Sequence, residues 1–197
     1  MNHYQFPVKP GTLAITWNSR GMLFSIDWYD NCAPVDHQAS QSHGIHSQIP
    51  VSMANLVLSL RDYFRFGEPI GEIPWSMIDR QGMSDFQVHV YEAICEIPHG
   101  ETRTYAWVAR RVSLKTRKFA APRAVGQALR RNPLPIVIPC HRVVAANALG
   151  GFMGISDPDQ PELVFKKWLI EAESGYRNPM FAFLPGLGKL AAAEAVG

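Results

Sequence analysis

Cysteine is scarce in this 197-residue chain, which has only three, far apart: Cys32, Cys95 and Cys140. An odd number of distant cysteines argues against a disulfide framework and predicts reduced thiols, as in intracellular proteins. Long apolar runs are also absent, since no stretch approaches the ~20 residues that cross a bilayer, and the first residues lack a signal-peptide core. We therefore expect an intracellular protein without a membrane partner.

Acidic residues are nearly missing from residues 100–151, which contain ten Lys and Arg and a single carboxylate, Glu101, for a net charge of +9. The rest of the chain carries −7, so the overall charge of +2 hides a strong asymmetry. A compact basic segment predicts a polyanionic partner such as nucleic acid, because each neutralised phosphate releases condensed counterions. A solvated basic face is the alternative interpretation.

The first part of the chain combines a predicted β-hairpin with one helix. Residues 13–17 and 22–28 are rich in β-forming side chains, and the Asn and Gly of residues 18–21 suit a hairpin turn. Ser52 is predicted to cap a helix whose apolar residues recur at three- and four-residue steps. Residues 67–82 are rich in Gly and Pro and predict a linker, so we assign an N-terminal domain and linker to residues 1–82.

The second part is predicted to be mainly helical, with helices from Asp85 as cap to about residue 96, at 104–112 and at 122–131. Cys95 falls at helical spacing with Tyr91 and Ile94 and is therefore predicted to lie in the core. The last two helices, joined by a basic connection, are typical of a helix-turn-helix with the second helix in the recognition role. We predict an α+β protein: a small N-terminal α/β domain, a mainly helical, winged-helix-like DNA-binding domain at 83–180, and a tail at 181–197.

A thiol and an imidazole are adjacent in residues 139–143, Pro-Cys-His-Arg-Val. They follow the apolar residues 136–138, which predict a buried strand that ends abruptly. A thiol is an effective nucleophile only as thiolate, and a neighbouring base or cation lowers its pKa; His141 and Arg142 supply both. The pair alone is weak evidence, because a cysteine in an apolar segment is more often a small buried hydrophobe.

Residues 121–144, APRAVGQALRRNPLPIVIPCHRVV, resemble without interruption the signature of the methylated-DNA--protein-cysteine methyltransferases, also called O6-alkylguanine-DNA alkyltransferases. The similarity is strongest from residue 86 to 152. It implies direct-reversal DNA repair, in which the alkyl group of O6-alkylguanine, or of O4-alkylthymine, moves irreversibly to Cys140. It also implies a monomer that binds double-stranded DNA through the minor groove. Further similar positions are residues 60–64, 85–87, 97–102, 105, 167–170 and 173.

The resemblance assigns a role to each residue of the site. Cys140 would accept the alkyl group, and His141, acting through a water and oriented by Glu173, would take the thiol proton. Tyr105 would assist base rotation and donate toward the guanine, and Asn132 would tie the recognition helix to the active-site segment. Arg123 would fill the space of the flipped nucleotide, with Gly126, Arg130 and Lys166 also binding DNA, and the substrate pocket would contain Pro135, Val143 and Phe152.

Three features depart from the family pattern. The loop at residues 145–151 is one residue shorter than usual. Phe152 occupies a position where many relatives have a tyrosine, and it can line the pocket but cannot hydrogen-bond the O6 of guanine. Residues 155–163 resemble an insertion at the pocket rim.

Some relatives hold a structural zinc with two cysteines and two histidines, but the candidates here include only one cysteine, and zinc prefers thiolates in such sites. We therefore predict no metal or cofactor, with zinc as the alternative, on Cys32, His37, His43, His46 and His3.

Three other functions remain open at this stage. A non-catalytic alkylated-DNA sensor of related fold would have its reactive cysteine replaced, typically by tryptophan, and Cys140 argues against it. A helix-turn-helix regulator would not need a thiol beside a base, and a thiol hydrolase would not need the basic segment.

Overall fold

The N-terminal part of the computed structural model, which describes residues 1–8, 10–30, 49–157 and 159–175, is an antiparallel sheet of three strands. Its order is β1 (Asn2–Val8), β2 (Gly11–Trp17) and β3 (Leu23–Tyr29). The predicted hairpin is β2–β3, and the Asn18 side chain closes its turn by accepting from the backbone N–H groups of Arg20 and Met22. Strand β1 was not predicted from the sequence.

Helix α1 (Val51–Phe66) follows and buries Met53, Leu56, Val57, Leu60, Tyr63 and Phe64 on one face. The predicted cap was wrong, because Pro50 occupies the N-cap position without a side-chain bond and Ser52 lies inside the helix. Gly67 ends the helix in the left-handed conformation, with φ of 75°, which glycine adopts without steric cost.

Three helices form the next layer: α2 (Asp85–Cys95), α3 (Tyr105–Thr116) and α4 (Pro122–Arg130). Ser84, one residue before the predicted cap, begins α2 with a capping box that includes Gln87. Helices α3 and α4 are the predicted pair, and both pack on α2. Helix α3 extends one turn beyond the predicted end, and the connection is closed by the Ala120 N–H, which donates to Ser113 Oγ at 2.9 Å.

The apolar residues 136–138 do not form the predicted strand. Ile136 has φ of 76°, and the Ile138 N–H donates to Leu134 O at 2.8 Å, so the segment is a tight turn. Pro135 and Pro139 lack the N–H that a ladder requires, which explains the outcome. The turn leads into a single 3₁₀ turn at Cys140–Arg142 and then strand β5 (Val143–Val144), which pairs in parallel with β4 (Arg103–Thr104).

Helix α5 (Pro161–Glu173) joins the two parts of the molecule through stacked aromatic rings. Phe165 stacks on Trp28 of β3 with ring centroids 4.3 Å apart, and Trp168 stacks on Phe64 of α1 at 5.5 Å. Buried residues on both sides of residue 83 form one contiguous apolar core, so the division into two domains there stays a prediction. Because α5 begins at Pro161, the last residues of the predicted 155–163 insertion are helical.

The architecture is a mixed α+β fold, as predicted. None of the helices in the described ranges is long and apolar enough to cross a membrane. The predicted tail at 181–197 lies outside the described residues.

Candidate active site

Cys140 lies at the start of the 3₁₀ turn, buried to 5% exposure, at the end of the proline-rich turn described above. The Asn132 Nδ2 donates to its sulfur at 3.1 Å and to Ile138 O at 2.9 Å, while Asn132 Oδ1 accepts from the Leu134 N–H. This one amide therefore connects the end of α4 to the segment that presents the thiol, as the predicted role of Asn132 requires. Burial raises the pKa of Cys140, although the Asn132 bond and the nearby Lys166 charge act in the opposite direction.

His141 is completely buried and its Nε2 lies 2.8 Å from Glu173 Oε1. Burial lowers the pKa of His141 despite the neighbouring carboxylate, so the ring is neutral at pH 7. With Nε2–H donating to Glu173, the lone pair is on Nδ1, which has no hydrogen-bond partner among the described residues. A neutral imidazole in this tautomer can accept a proton at Nδ1 and share the resulting charge with Glu173.

Glu173 ends α5 and is surrounded by donors. Arg142 binds both of its oxygens, Nε to Oε2 at 2.8 Å and Nη2 to Oε1 at 3.0 Å. The Tyr63 hydroxyl donates to Oε1 at 2.7 Å, and the Gly100 N–H donates to Oε2 at 3.3 Å. Burial alone would raise the pKa of Glu173, but His141 and Arg142 hold it well below its usual range, so the carboxylate stays charged.

A cavity of about 400 Å³ opens beside the thiol, a volume within the range of small-molecule sites. The predicted residues Tyr105 and Phe152 line it together with Cys140, and so do the other residues of the loop from Gly151 to Ser156. The Tyr105 hydroxyl donates to Gly151 O at 3.3 Å, and burial raises the pKa of this phenol, which keeps it a proton donor. A phenol positioned this way can donate to a ligand oxygen or nitrogen inside the cavity.

The predicted DNA-binding residues of α4 are at the mouth of this cavity. Arg123 and Arg130 are exposed, line the opening and make no ion pair with any described carboxylate. Gly126 also lines it, and a Cβ added there would meet Tyr105 at an ordinary 3.8 Å. Among the described residues, no neighbouring side chain therefore requires a glycine at position 126, and the space beside it on α4 is open to a ligand in the cavity.

The remaining basic residues divide into paired and free groups. Arg103, Arg111 and Lys115 form ion pairs with Glu101, Glu96 and Glu92. Four further cations of the basic segment have no such partner in the part of the chain that the structure describes: Arg110, Arg117, Lys118 and Arg131.

Three predicted site residues are placed elsewhere. Lys166 is wrong as a DNA-binding residue: it is fully buried, and its Nζ donates to Val143 O, Leu149 O and Gly151 O. Pro135 and Val143 do not line the cavity, because Pro135 forms the tight turn and Val143 is fully buried in strand β5.

Cys95 is exposed rather than in the core, although Tyr91 and Ile94 of the same helix are buried. It is the last residue of α2.

Burial lowers the pKa of Lys166 to about 8. Its three bonds to carbonyl groups hold the segment from β5 to the cavity wall. In the sequence, a lysine at an apolar position of a helix is only a weak indication of such a structural role.

Tyr63 and Gly100 were missed as site residues. Tyr63 belongs to the apolar face of α1 by its spacing, and nothing in the local sequence indicates a partner 110 positions away. Gly100 has φ of 80°, and a Cβ there would lie 2.8 Å from Glu173 O, so only glycine allows the close approach.

The candidate zinc ligands give no metal site in the described ranges. His3 is exposed on β1, and no group of three or more His, Cys, Asp or Glu side chains in those ranges is placed to hold a metal. Cys32, His37, His43 and His46 lie outside the described residues.

The fold and site define an α+β protein with a buried thiol next to a base, a cavity beside the thiol and exposed cations that line this cavity. Residues 85–175 match the family model described as 6-O-methylguanine DNA methyltransferase, DNA binding domain. The chain is 34% identical to the methylated-DNA--protein-cysteine methyltransferase of Archaeoglobus fulgidus, over 77% of this chain and 98% of that protein. A constitutive enzyme of the same name from Bacillus subtilis is 36% identical over 78% of this chain and 88% of its own length.

Among solved structures, Mycobacterium tuberculosis OGT in complex with DNA is similar, with a TM-score of 0.63 and 27% identity over 88% of this chain and 93% of that one. The chain belongs to the methylated-DNA--protein-cysteine methyltransferase family. The expectation of a DNA partner is confirmed.

Proposed function

We propose that this protein repairs O6-alkylguanine in double-stranded DNA by moving the alkyl group to its own Cys140, once per molecule. The observation that carries the proposal is the position of the Cys140 sulfur beside the cavity, with a neutral His141 held by Glu173 next to it. Family membership supports the reaction class, since the relatives are named as methylated-DNA--protein-cysteine methyltransferases.

The chemistry is an in-line displacement at a saturated carbon. The thiol proton passes through a water to Nδ1 of His141, and the sulfur forms a bond to the alkyl carbon. The bond from that carbon to O6 breaks, its electron pair stays on the guanine, and the guanine takes the proton of the Tyr105 hydroxyl. The proton on His141 then returns through water to the Tyr105 phenolate, so that both side chains end in their starting forms. The products are a thioether and an intact guanine, and the step needs no cofactor because the nucleophile and the proton donors are side chains of the chain.

The base has to leave the stack to reach a buried sulfur. Arg123, exposed at the cavity mouth on α4, would occupy the vacated space from the minor-groove side, because a planar, permanently charged guanidinium can stack and bond the unpaired cytosine. The free cations of the basic segment would bind phosphates on either side. We propose a monomer acting in the compartment that contains the DNA, with O4-alkylthymine as a second substrate.

The test is the intact mass of the protein after incubation with an oligonucleotide duplex containing O6-methylguanine. We expect a gain of one methylene unit on Cys140 and no second turnover, because a thioether is a poor leaving group. Cys140→Ala should bind the duplex without any gain. Repeated turnover, or a gain that maps to Cys32 or Cys95, would contradict the proposal.

A further inference from the structure

Tyr63 is the one side chain of α1 that contacts the Glu173 carboxylate among the described residues. It is 2% exposed, and its hydroxyl donates to Glu173 Oε1 at 2.7 Å. The same oxygen accepts from His141 Nε2 at 2.8 Å. A residue of the N-terminal part of the chain therefore lies two hydrogen bonds from the nitrogen that would take the thiol proton.

The remaining groups around Glu173 come from the other side. Arg142 binds both oxygens, the Gly100 N–H binds Oε2, and His99 Nδ1 lies 3.7 Å from Oε1. None of these donors belongs to α1. Removal of the Tyr63 hydroxyl would thus leave Oε1 with fewer donors and would leave the carboxylate without a fixed contact on its α1 side.

We infer that Tyr63 is a positioning residue for alkyl transfer: by donating to Glu173 Oε1 it limits how strongly that oxygen attracts the His141 ring and fixes the plane of the carboxylate. This inference rests on the proposed function. It gives the N-terminal part of the chain a direct contribution to activation of the thiol. Burial and the adjacent Glu173 raise the pKa of Tyr63 well above its usual value, so the phenol stays a donor across the working pH range.

The sign of the effect follows from competition for one oxygen. When Tyr63 no longer donates, Oε1 has more negative charge available for His141, and the protonated imidazole becomes more favourable. The pKa of His141 should rise, so that more of the base is already protonated at a given pH. As the pH is lowered, the rate of alkyl transfer should therefore begin to fall at a higher pH in Tyr63→Phe than in the wild type.

The experiment measures the rate of transfer from free O6-benzylguanine between pH 5 and 9 for wild type and Tyr63→Phe. We expect the acidic limb of the Tyr63→Phe profile to move to higher pH. At a given pH on that limb, the rate should be about tenfold lower than in the wild type, the size of one lost hydrogen bond to a charged group. The matched control is Tyr91→Phe, which removes a buried hydroxyl that donates to Ala128 O at 3.0 Å. This phenol is close enough to interact with the Cys140 charge, but it forms no hydrogen bond with Glu173 or His141. Its acidic limb should not move.

Two further measurements separate positioning from folding. Replacing Tyr63 with 3-fluorotyrosine keeps the shape and strengthens the donor, so the limb should move in the opposite direction, to lower pH. In a Glu173→Gln background, Tyr63→Phe should have no further effect on the limb, because the two residues act through one oxygen.

A Tyr63→Phe profile that superimposes on the wild type, with only a lower unfolding temperature, would overturn the inference. So would equal shifts in Tyr63→Phe and Tyr91→Phe. If wild type itself transfers no alkyl group, the proposed function fails instead, and the two failures are distinguishable.

Discussion

Cys140 rests as a neutral thiol because burial raises its pKa. A permanently ionised thiolate would react with any small electrophile, whereas a buried thiol reacts only when a substrate occupies the cavity and a base removes the proton. The arrangement of His141 and Glu173 supplies that base without requiring a cation beside the sulfur. The selectivity of Cys140 for its substrate over other electrophiles therefore depends on removal of the thiol proton only when a substrate occupies the cavity.

Replacing His141 with Asn, or Glu173 with Gln, should slow alkyl transfer by about 10²-fold or more, the usual size of general-base assistance. Affinity for duplex DNA should stay close to that of the wild type, because neither side chain is exposed. Single-turnover rates and equilibrium binding measured on the same preparations check this. Losses of equal size in rate and in affinity would indicate that the pair only maintains the fold.

Arg123→Ala should impair repair of duplex DNA more than transfer from free O6-benzylguanine. Unpairing and unstacking a base cost a few kcal/mol, and a free base never incurs that cost. The comparison variant is Lys118→Ala, an exposed cation in the α3–α4 connection, which should mainly reduce the slope of affinity against salt, by about one if it contacts a phosphate. Equal impairment of Arg123→Ala on duplex and free base would refute the proposal that Arg123 occupies the space vacated by the flipped nucleotide.

At the scale of elements, the segment from β5 to the cavity wall depends on one buried lysine. Lys166 on α5 donates to the carbonyls of Val143, Leu149 and Gly151, which span one side of the site. A buried carbonyl without a donor costs about 1–3 kcal/mol, so this side chain contributes much of the stability of that segment.

Lys166→Met should therefore lower the free energy of unfolding by about 2–4 kcal/mol and slow transfer even from a free base. The adjacent Lys167, 69% exposed, provides the control: Lys167→Met should change stability by less than about 0.5 kcal/mol. Chemical denaturation of both variants together with transfer rates decides the matter. Similar stabilities for the two would show that the carbonyls find other partners.

Elements with a local cause were predictable from sequence, and those fixed by distant contacts were not. The β2–β3 hairpin follows from Asn and Gly in its turn, and α4 from Pro122 at its first position. The 136–138 turn was missed because apolar residues usually predict a strand, while the prolines on either side prevented one. Strand β1 depends on pairing with β2, and the burial of Lys166 depends on carbonyls 15 to 23 positions away.

The same division holds for the site. Cys140, His141 and Asn132 are close in sequence, and their resemblance to a family motif sufficed to identify them. Tyr63, by contrast, bonds to Glu173, which is 110 residues away in sequence, and only the packing of α5 on α1 brings the two together. The roles assigned to Pro135 and Val143 failed because sequence adjacency to the nucleophile does not specify which side of the backbone faces the cavity.

At the scale of the whole molecule, two ionisable groups at the site should make stability depend on pH in one direction. The pKa values of both His141 and Glu173 are lower in the folded protein than in the unfolded chain. Below each unfolded value, about 6.5 for His and 4.3 for Glu, the unfolded chain binds more protons than the folded one, so acid favours unfolding. The stability contributed by the pair is therefore complete above about pH 6.5 and is lost as the pH falls.

We predict that the thermal unfolding midpoint is nearly constant from pH 8 to about 6.5, falls gradually below that, and falls more steeply below about pH 4.3. Glu173→Gln should have a lower midpoint at pH 7, because Arg142 and Tyr63 lose their charged acceptor, but should lose less on further acidification. The control Glu68→Gln changes an exposed carboxylate near the end of α1 and should follow the wild-type curve. Calorimetry across this range checks the prediction, and parallel curves for wild type and Glu173→Gln below pH 4.3 would show that acid lability originates at other carboxylates.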